Sequence, residues 1–577
     1  MHDKLRPSRV HIFAAAAGVL AFAFRLMLLH DLSNDHYMHL AWAQQLLFGE
    51  LPGRDFVDPG MPLMYTLSAV VQHVWPGPFS EGVLTCVLLG IAAAATLLVV
   101  TELTGSLAFA VAATLFEIVL EPRLYSYPKI LVPAVALLLI QHYVRRPSRI
   151  ALVALAGWTG TAVLFRHDLG VYAAAGIGSA IVVASGTDWR RTFRVIGEYS
   201  VALVALMLPY VLFVQWSEGV GEHLHEAVEF AKGEAHQRFM LPPTFPFWSE
   251  SGSNSWSRMD AAVFLFYAAH ALAILCLVLL GRSKEHPSRR TPVAAAGFTM
   301  LLMYLLVVLR HPIDSRIQDV AALLAINGAW ALAESWQRGG VRMANAVTQS
   351  LVRRVVPLAA AVALVAAGVV NAWILADVPN RMKETRVMEG LGTVTHTVET
   401  VKETGTIWPW ARFWPAGELP AAVRYLNTCT TRDDALLTSW AAPEYYYFAQ
   451  RRFGAGHALF LPPDAFTTAH DQARMLERLR NARIPVVLIN ESRNDEFATA
   501  YPDVERYIRD TYVPVGEFEI RDGSRVAIAI GRDFKATKAY GSEGWPCGFE
   551  RRAANSTASI MLDGSATPLP AMSNAVP

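Results

Sequence analysis

Long apolar runs separated by short polar connections fill the first two thirds of the chain, and a shorter rhythm replaces them afterwards. A helix crossing hydrocarbon needs roughly 20 mostly apolar residues, because backbone polar groups left unpaired there are costly. Runs of this kind occupy 10–29, 80–102, 105–120, 127–145, 149–165, 169–186, 192–216, 259–281, 292–309, 317–335 and 354–376, which predicts about eleven spans. The third is short and carries Glu117, and only Arg166, His167 and Asp168 part the fifth from the sixth. The first run has no small-residue cleavage site after it and is read as a retained helix. The expectation is a mostly α, polytopic membrane helix bundle over 1–376.

Two long segments, 30–79 and 217–258, do not span. In the first, Tyr37, Leu40, Ala41, Leu47 and Phe48 fall at helical spacing, predicting a helix that lies in the membrane interface. Fifty residues is also long for a mere connector.

After a linker over 377–417 the pattern shortens. Strand-like runs at Ala435–Thr438, Pro485–Asn490 and Arg525–Ile530 alternate with helical segments at Thr468–Asn481 and Pro502–Thr511. These predict a small soluble α/β domain over 418–540. The stretch EFEIRDGSRVAIAI, Glu517 to Ile530, alternates about an Asp-Gly turn as a hairpin does. The remainder, 541–577, is rich in Ser, Ala, Pro and Gly and is expected to be a disordered tail.

Composition agrees with a membrane solvent: 53% of the residues are hydrophobic and only 17% charged. A net charge of +1, with no basic stretch interleaved with aromatics, excludes nucleic acid as an expected partner. Orientation follows from the basic clusters. With the N-terminus cytoplasmic, Lys4, Arg6 and Arg9, Arg145, Arg146 and Arg149, Arg190, Arg191 and Arg194, Arg282, Lys284, Arg289 and Arg290, and Arg338, Arg342, Arg353 and Arg354 all fall inside. Segments 30–79 and 217–258 and the C-terminal domain then face outward, or into a periplasm, and a bacterial inner (plasma) membrane is the expected location. The connection near Thr104 has no basic residue, as a tight hairpin permits. Of four cysteines, Cys86 and Cys276 lie in apolar runs, whereas Cys429 and Cys547 share the outer part, where an oxidising compartment permits a disulfide. Two unrelated thiols are the alternative.

The segment NDHYMHLAWAQQLLFGELPGRDFVDPGMPLMY, Asn34 to Tyr65, is the most informative. An acid and an aromatic after the first span, a helix ending in Gly, an Asp-bearing turn and a Pro-Leu-x-Tyr segment follow in order. This resembles the first outer loop of membrane glycosyltransferases of the C-type (GT-C) fold, chiefly the dolichyl-phosphate-mannose protein mannosyltransferases and more loosely the lipid A aminoarabinose transferases. Arg25 stands where that group often has an arginine. The chain departs from the pattern at Asp35-His36, where Asp-Glu is common, at Gly60-Met61-Pro62-Leu63, and at Tyr127, Pro128 and Lys129, where a second acid is expected.

The resemblance implies transfer of a hexose or pentose from a polyprenyl-phosphate donor to a glycan, lipid or protein acceptor among membrane lipids. Such a donor carries a good leaving group, so the demanding tasks are activating the acceptor and stabilising phosphate charge. Asp35 is the candidate general base, with His36 and Tyr37 beside it among the substrate-binding residues. Its competing reading is a helix cap. Asp55 and Asp58 offer hard oxygen ligands for substrate or a divalent cation, against a plain turn role for an Asp before Pro. No cofactor is otherwise indicated. His36 and His39, or His223 and His225, lack a third ligand at zinc-site spacing and are read as polar interface residues. Candidate phosphate-binding cations are Arg310, His311 and Arg316 in LRHPIDSR, with Arg123, Lys129 and Arg166 at other span ends; snorkelling is the competing fate of such arginines. A transporter, or a noncatalytic scaffold whose outer domain binds a partner, are the rival functions; isolated Glu117 and Glu198 and the lack of matching halves speak against transport.

Overall fold

The computed structural model describes residues 7–29, 32, 34–58, 60–238, 243–246, 256–283, 288–308, 313–340, 349–406, 421–458, 460, 466–520 and 523–552. Arg310 and His311 lie outside them.

The chain is mostly helical, with a small sheet confined to its C-terminal part. The bundle runs α1 (Pro7–Met27), α2 (Asn34–Leu47), α3 (Pro62–Val74), α4 (Pro78–Thr104), α5 (Leu107–Leu120), α6 (Tyr127–Arg145), α7 (Arg149–Phe165), α8 (His167–Ser185), α9 (Trp189–Ser217), α10 (Val220–Arg238), α11 (Arg258–Ser283), α12 (Thr291–Val308), α13 (Ile313–Arg316), α14 (Ala321–Gly340) and α15 (Gln349–Leu375). Among the described residues, seven helices are long and apolar enough to cross a membrane, those over 9–27, 78–104, 124–145, 167–185, 189–217, 258–282 and 355–375. These are compatible with an integral membrane protein. Three further apolar helices, over 107–120, 149–165 and 291–306, are shorter. The expected run 317–335 opens as a 3-10 turn at Ile317–Val320 and continues as α14.

Small residues let the central helices approach closely. A Cβ at Gly90 of α4 would lie 2.7 Å from the Gly18 carbonyl oxygen of α1, so the α1–α4 crossing brings backbone against backbone. At the α4–α5 hairpin, Gly105 takes φ +72° and Ser106 caps α5 by accepting the Phe109 N–H at 3.4 Å. The basic charge missing from this connection comes from elsewhere: the Arg290 guanidinium lies against Gly105, and Arg145 pairs with Glu102. Arg191 and Arg289 line a second cavity, together with Tyr143 from the α6 end that bears Arg145. One end of the bundle thus gathers arginine.

At the other end stand α2, α3 and the C-terminal domain. Its sheet has the order β2-β1-β3-β5-β4, from β1 (Ala435–Thr438), β2 (Arg452–Phe453), β3 (Val486–Asn490), β4 (Tyr512–Glu519) and β5 (Arg525–Gly531). β1 is parallel to β2 and β3, while β5 is antiparallel to β3 and β4. The β4–β5 hairpin is the one read from Glu517–Ile530. Structure continues past residue 540, because β6 (Phe534–Tyr540) pairs with β7 (Trp545–Arg551). The domain therefore extends beyond the boundary drawn at 540, and the tail expected over 541–577 is structured through Arg551. Cys547, on β7, is disulfide-bonded to Cys429 at the end of the helix Ala421–Cys429, with their Cα atoms 4.5 Å apart. Nor is 377–417 a plain linker: helices occupy Val378–Thr385 and Leu391–Thr406, and Arg381 pairs at 3.0 Å with Glu121, which also holds Arg25 at 3.2 Å.

The C-terminal domain docks on the first loop through one apolar cluster. Tyr37, Leu40 and Trp42 of α2 and Phe56 join Tyr446, Phe448 and Phe453 there. Gln45 completes the contact. Its Nε2 donates to the Arg451 carbonyl at 3.3 Å and its Oε1 accepts from the Phe453 N–H at 3.2 Å, so a side-chain amide occupies the place of a further strand beside the edge strand β2.

Candidate functional site

The polar centre of the molecule lies where α6, α8 and the α12–α14 connection end together. Arg123 precedes a 3-10 turn, Leu124–Ser126, and Lys129 sits in the first turn of α6. Both turn to one acid. Asp319 accepts from Lys129 Nζ at 2.5 Å and from Arg123 at 3.0 Å. Arg166, extended between α7 and α8, donates through Nε to Asp168 at 2.6 Å, and the Tyr172 hydroxyl donates to the same carboxylate at 3.3 Å. Lys129, Arg166, Tyr172, Tyr304, Arg316 and Asp319 line a narrow pocket. Arg316 Nε is buried with no hydrogen-bond partner among the described residues. Burial, with the neighbouring Arg123 charge, lowers the Arg316 guanidinium from its ordinary range.

Asp35 belongs to this neighbourhood. It stands half-buried in the first turn of α2, interacts with the Tyr125 hydroxyl, and lies within electrostatic reach of Arg316. Tyr125 in turn carries the Arg123 guanidinium 4.7 Å above its ring. The fold therefore brings Asp35, Arg123, Lys129, Arg166 and Arg316 together from four separate stretches of sequence.

The other residues singled out by sequence fall elsewhere. Tyr37 faces the C-terminal domain, its ring 5.4 Å from Phe448, and is a packing residue rather than part of the pocket. Asp55 closes a local turn, accepting from the Leu51 N–H at 2.8 Å and pairing with adjacent Arg54 at 2.6 Å. It does not join Asp35. Asp58 makes the turn that its sequence suggests, accepting the Gly60 N–H at 2.9 Å. Burial pushes its carboxyl up to about 6, against the opposing pull of that N–H and of His223. His223 itself donates to Glu218 at 2.5 Å, and this bond raises the imidazole from its ordinary value. The turn borders the pocket region, since a Cβ at Gly60 would meet the His167 ring at 3.2 Å. His36 points away from the pocket, toward His39 and Glu81.

Sequence reasoning missed Asp319, Asp168 and Tyr304 as site residues. Asp319 had a signal: a carboxylate inside an apolar run marks a functional or paired position. It also supplies an acid opposite Lys129. Tyr304 carries no local signal, since an aromatic in an apolar helix reads as core.

Comparison with family models gives no match for this chain, and comparison with curated proteins gives none.

Proposed function

We propose that the protein is a membrane glycosyltransferase that moves a sugar from a polyprenyl-phosphate donor to a glycan, lipid or protein acceptor. One observation carries the reading: the charge balance of the pocket. In and around it, Arg123, Lys129, Arg166 and Arg316 bring four positive charges against three carboxylates, Asp35, Asp168 and Asp319, which leaves a surplus of one. The surplus suits a phosphate, whose oxygens accept charge-assisted hydrogen bonds from such groups. Asp35 beside this surplus suits the acceptor hydroxyl. As the hydroxyl attacks the anomeric carbon, Asp35 takes its proton, and the phosphate leaves with its electron pair toward Arg316 and Lys129. Cations placed where that charge develops stabilise the transition state.

The orientation proposed is N-terminus cytoplasmic and C-terminal domain outside, in a bacterial plasma membrane. The gathering of Arg145, Arg191, Arg289 and Arg290 at the end opposite the pocket supports it. Purified protein assayed against a panel of polyprenyl-phosphate sugars tests the activity. Asp35→Asn should lower turnover by a factor on the order of 10² to 10⁴. Arg316→Ala should raise KM for the lipid donor and lower kcat together. Transfer unchanged in Asp35→Asn, or absent from the wild-type protein across the panel, refutes the reading.

A further inference from the structure

A second buried polar cluster lies behind Asp35 and has no part in the cationic pocket. His36 and His39 are three residues apart on α2, so both imidazoles leave the same side of the helix. Glu81, in the first turn of α4, faces them. The three residues are 1%, 2% and 1% exposed, respectively. One potential ligand atom from each lies within 4.8 Å of the others. His36 Nδ1 and Glu81 Oε1 are 3.8 Å apart, too far for a hydrogen bond. That distance is close to the roughly 3.4 Å between two ligands held about 2.1 Å from a tetrahedral ion.

The hydrogen-bond inventory points the same way. Both ring nitrogens of His36, Nδ1 of His39 and Oε2 of Glu81 are buried with no hydrogen-bond partner among the described residues. Buried polar atoms are nearly always satisfied, and a bound cation would give a partner to one ring nitrogen of each imidazole and to the Glu81 carboxylate. Aromatic rings wall the cluster: Tyr125 stands edge-on to His36 at 6.0 Å, and Trp42 stacks on His39 at 6.5 Å.

We propose that His36, His39 and Glu81 bind a divalent transition-metal ion, zinc by preference, that clamps α2 to α4. Two imidazoles and one carboxylate suit zinc, whereas magnesium and calcium favour all-oxygen sites. Three protein ligands leave a fourth position for water. The clamp fixes the helix from which Asp35 projects toward the pocket and Tyr37 projects toward the C-terminal domain. The site does not depend on glycosyl transfer, because metal content is measured without any substrate.

The test uses full-length protein in detergent, stripped with chelator and then dialysed against zinc. Wild type should retain roughly one zinc per chain. His39→Ala and Glu81→Gln should each lower retention at least about tenfold. Cobalt in place of zinc should give the visible absorption of a four-coordinate nitrogen and oxygen site in wild type and lose it in both variants. Intact Cys429–Cys547 pairing and a single elution peak establish that the variants fold. A measurement on wild type alone stands beside these: chelator should lower the thermal unfolding midpoint, with zinc and not magnesium restoring it. Wild type that holds no more zinc than Glu81→Gln, or a midpoint indifferent to chelator, overturns the proposal.

Discussion

Replacing Gln45 with leucine tests how the C-terminal domain is held to the bundle. The residue is 0% exposed, and its carboxamide bridges Arg451 and Phe453 across the interface. Leucine keeps most of the volume, so little cavity forms and the loss is mainly polar. Losing the bond to the Arg451 carbonyl costs about 1 kcal/mol, and leaving the Phe453 N–H buried without a partner costs about 1–3 kcal/mol more. The sum, about 2–4 kcal/mol, corresponds to roughly 30- to 1000-fold at about 1.4 kcal/mol per decade. Amide hydrogen exchange reads this directly, because the Phe453 N–H bonds to Gln45 rather than to β1. Its protection in Gln45→Leu should fall by that factor, while the amides of β5, paired on both sides within the sheet, keep theirs. Protection at Phe453 within about threefold of wild type would show that the apolar cluster alone seals the edge and that the carboxamide contributes nothing.

Two further outcomes follow from the geometry. Serine at both Cys429 and Cys547 opens a link spanning 118 residues; loop-closure entropy sets an upper figure of about 5 kcal/mol, and a lower urea midpoint for the C-terminal domain should reveal it, an unchanged midpoint counting against the link. Asp58, raised to about 6, binds a proton in the folded state that the unfolded chain has already released, so stability should fall as pH rises from about 4 to about 6 and then level off. His223 and Glu218 face the same carboxyl, and Asp58→Asn should flatten this slope in thermal unfolding measured across the range; a slope the same as wild type would refute the assignment.

What the sequence disclosed depended on how locally each feature is encoded. Apolar length marks the long helices α4, α9 and α11, and alternation about Asp522-Gly523 marks β4 and β5, because each signal sits within its own element. The Pro62–Val74 helix and the β6–β7 hairpin carry weaker patterns: the first hides within the long non-spanning segment 30–79, and the second straddles the boundary drawn at 540. β2 is two residues long, and what defines it is pairing with β1 and Gln45 rather than any period. For the pocket, span-end cations were legible as a class: Arg123, Lys129, Arg166 and Arg316 do converge with Asp35. Their counter-ion Asp319 was absorbed into an apparent apolar run. Glu81 was invisible for another reason. It lies more than forty residues from His39, and only the packing of α2 on α4 makes the three residues neighbours.

The side-chain cap on β2 also sets a clock for biosynthesis. Gln45 and Arg451 are 406 residues apart, so at roughly 5–20 residues per second the ribosome needs about 20–80 s after making α2 before the strand that it caps exists. Throughout that interval Leu40, Ala41 and Trp42, buried in the finished molecule, have no domain to cover them. The newborn first loop must wait in the membrane interface or under a chaperone. A C-terminal domain expressed by itself would meet the reverse problem, with an uncapped strand edge and an apolar docking face presented to solvent.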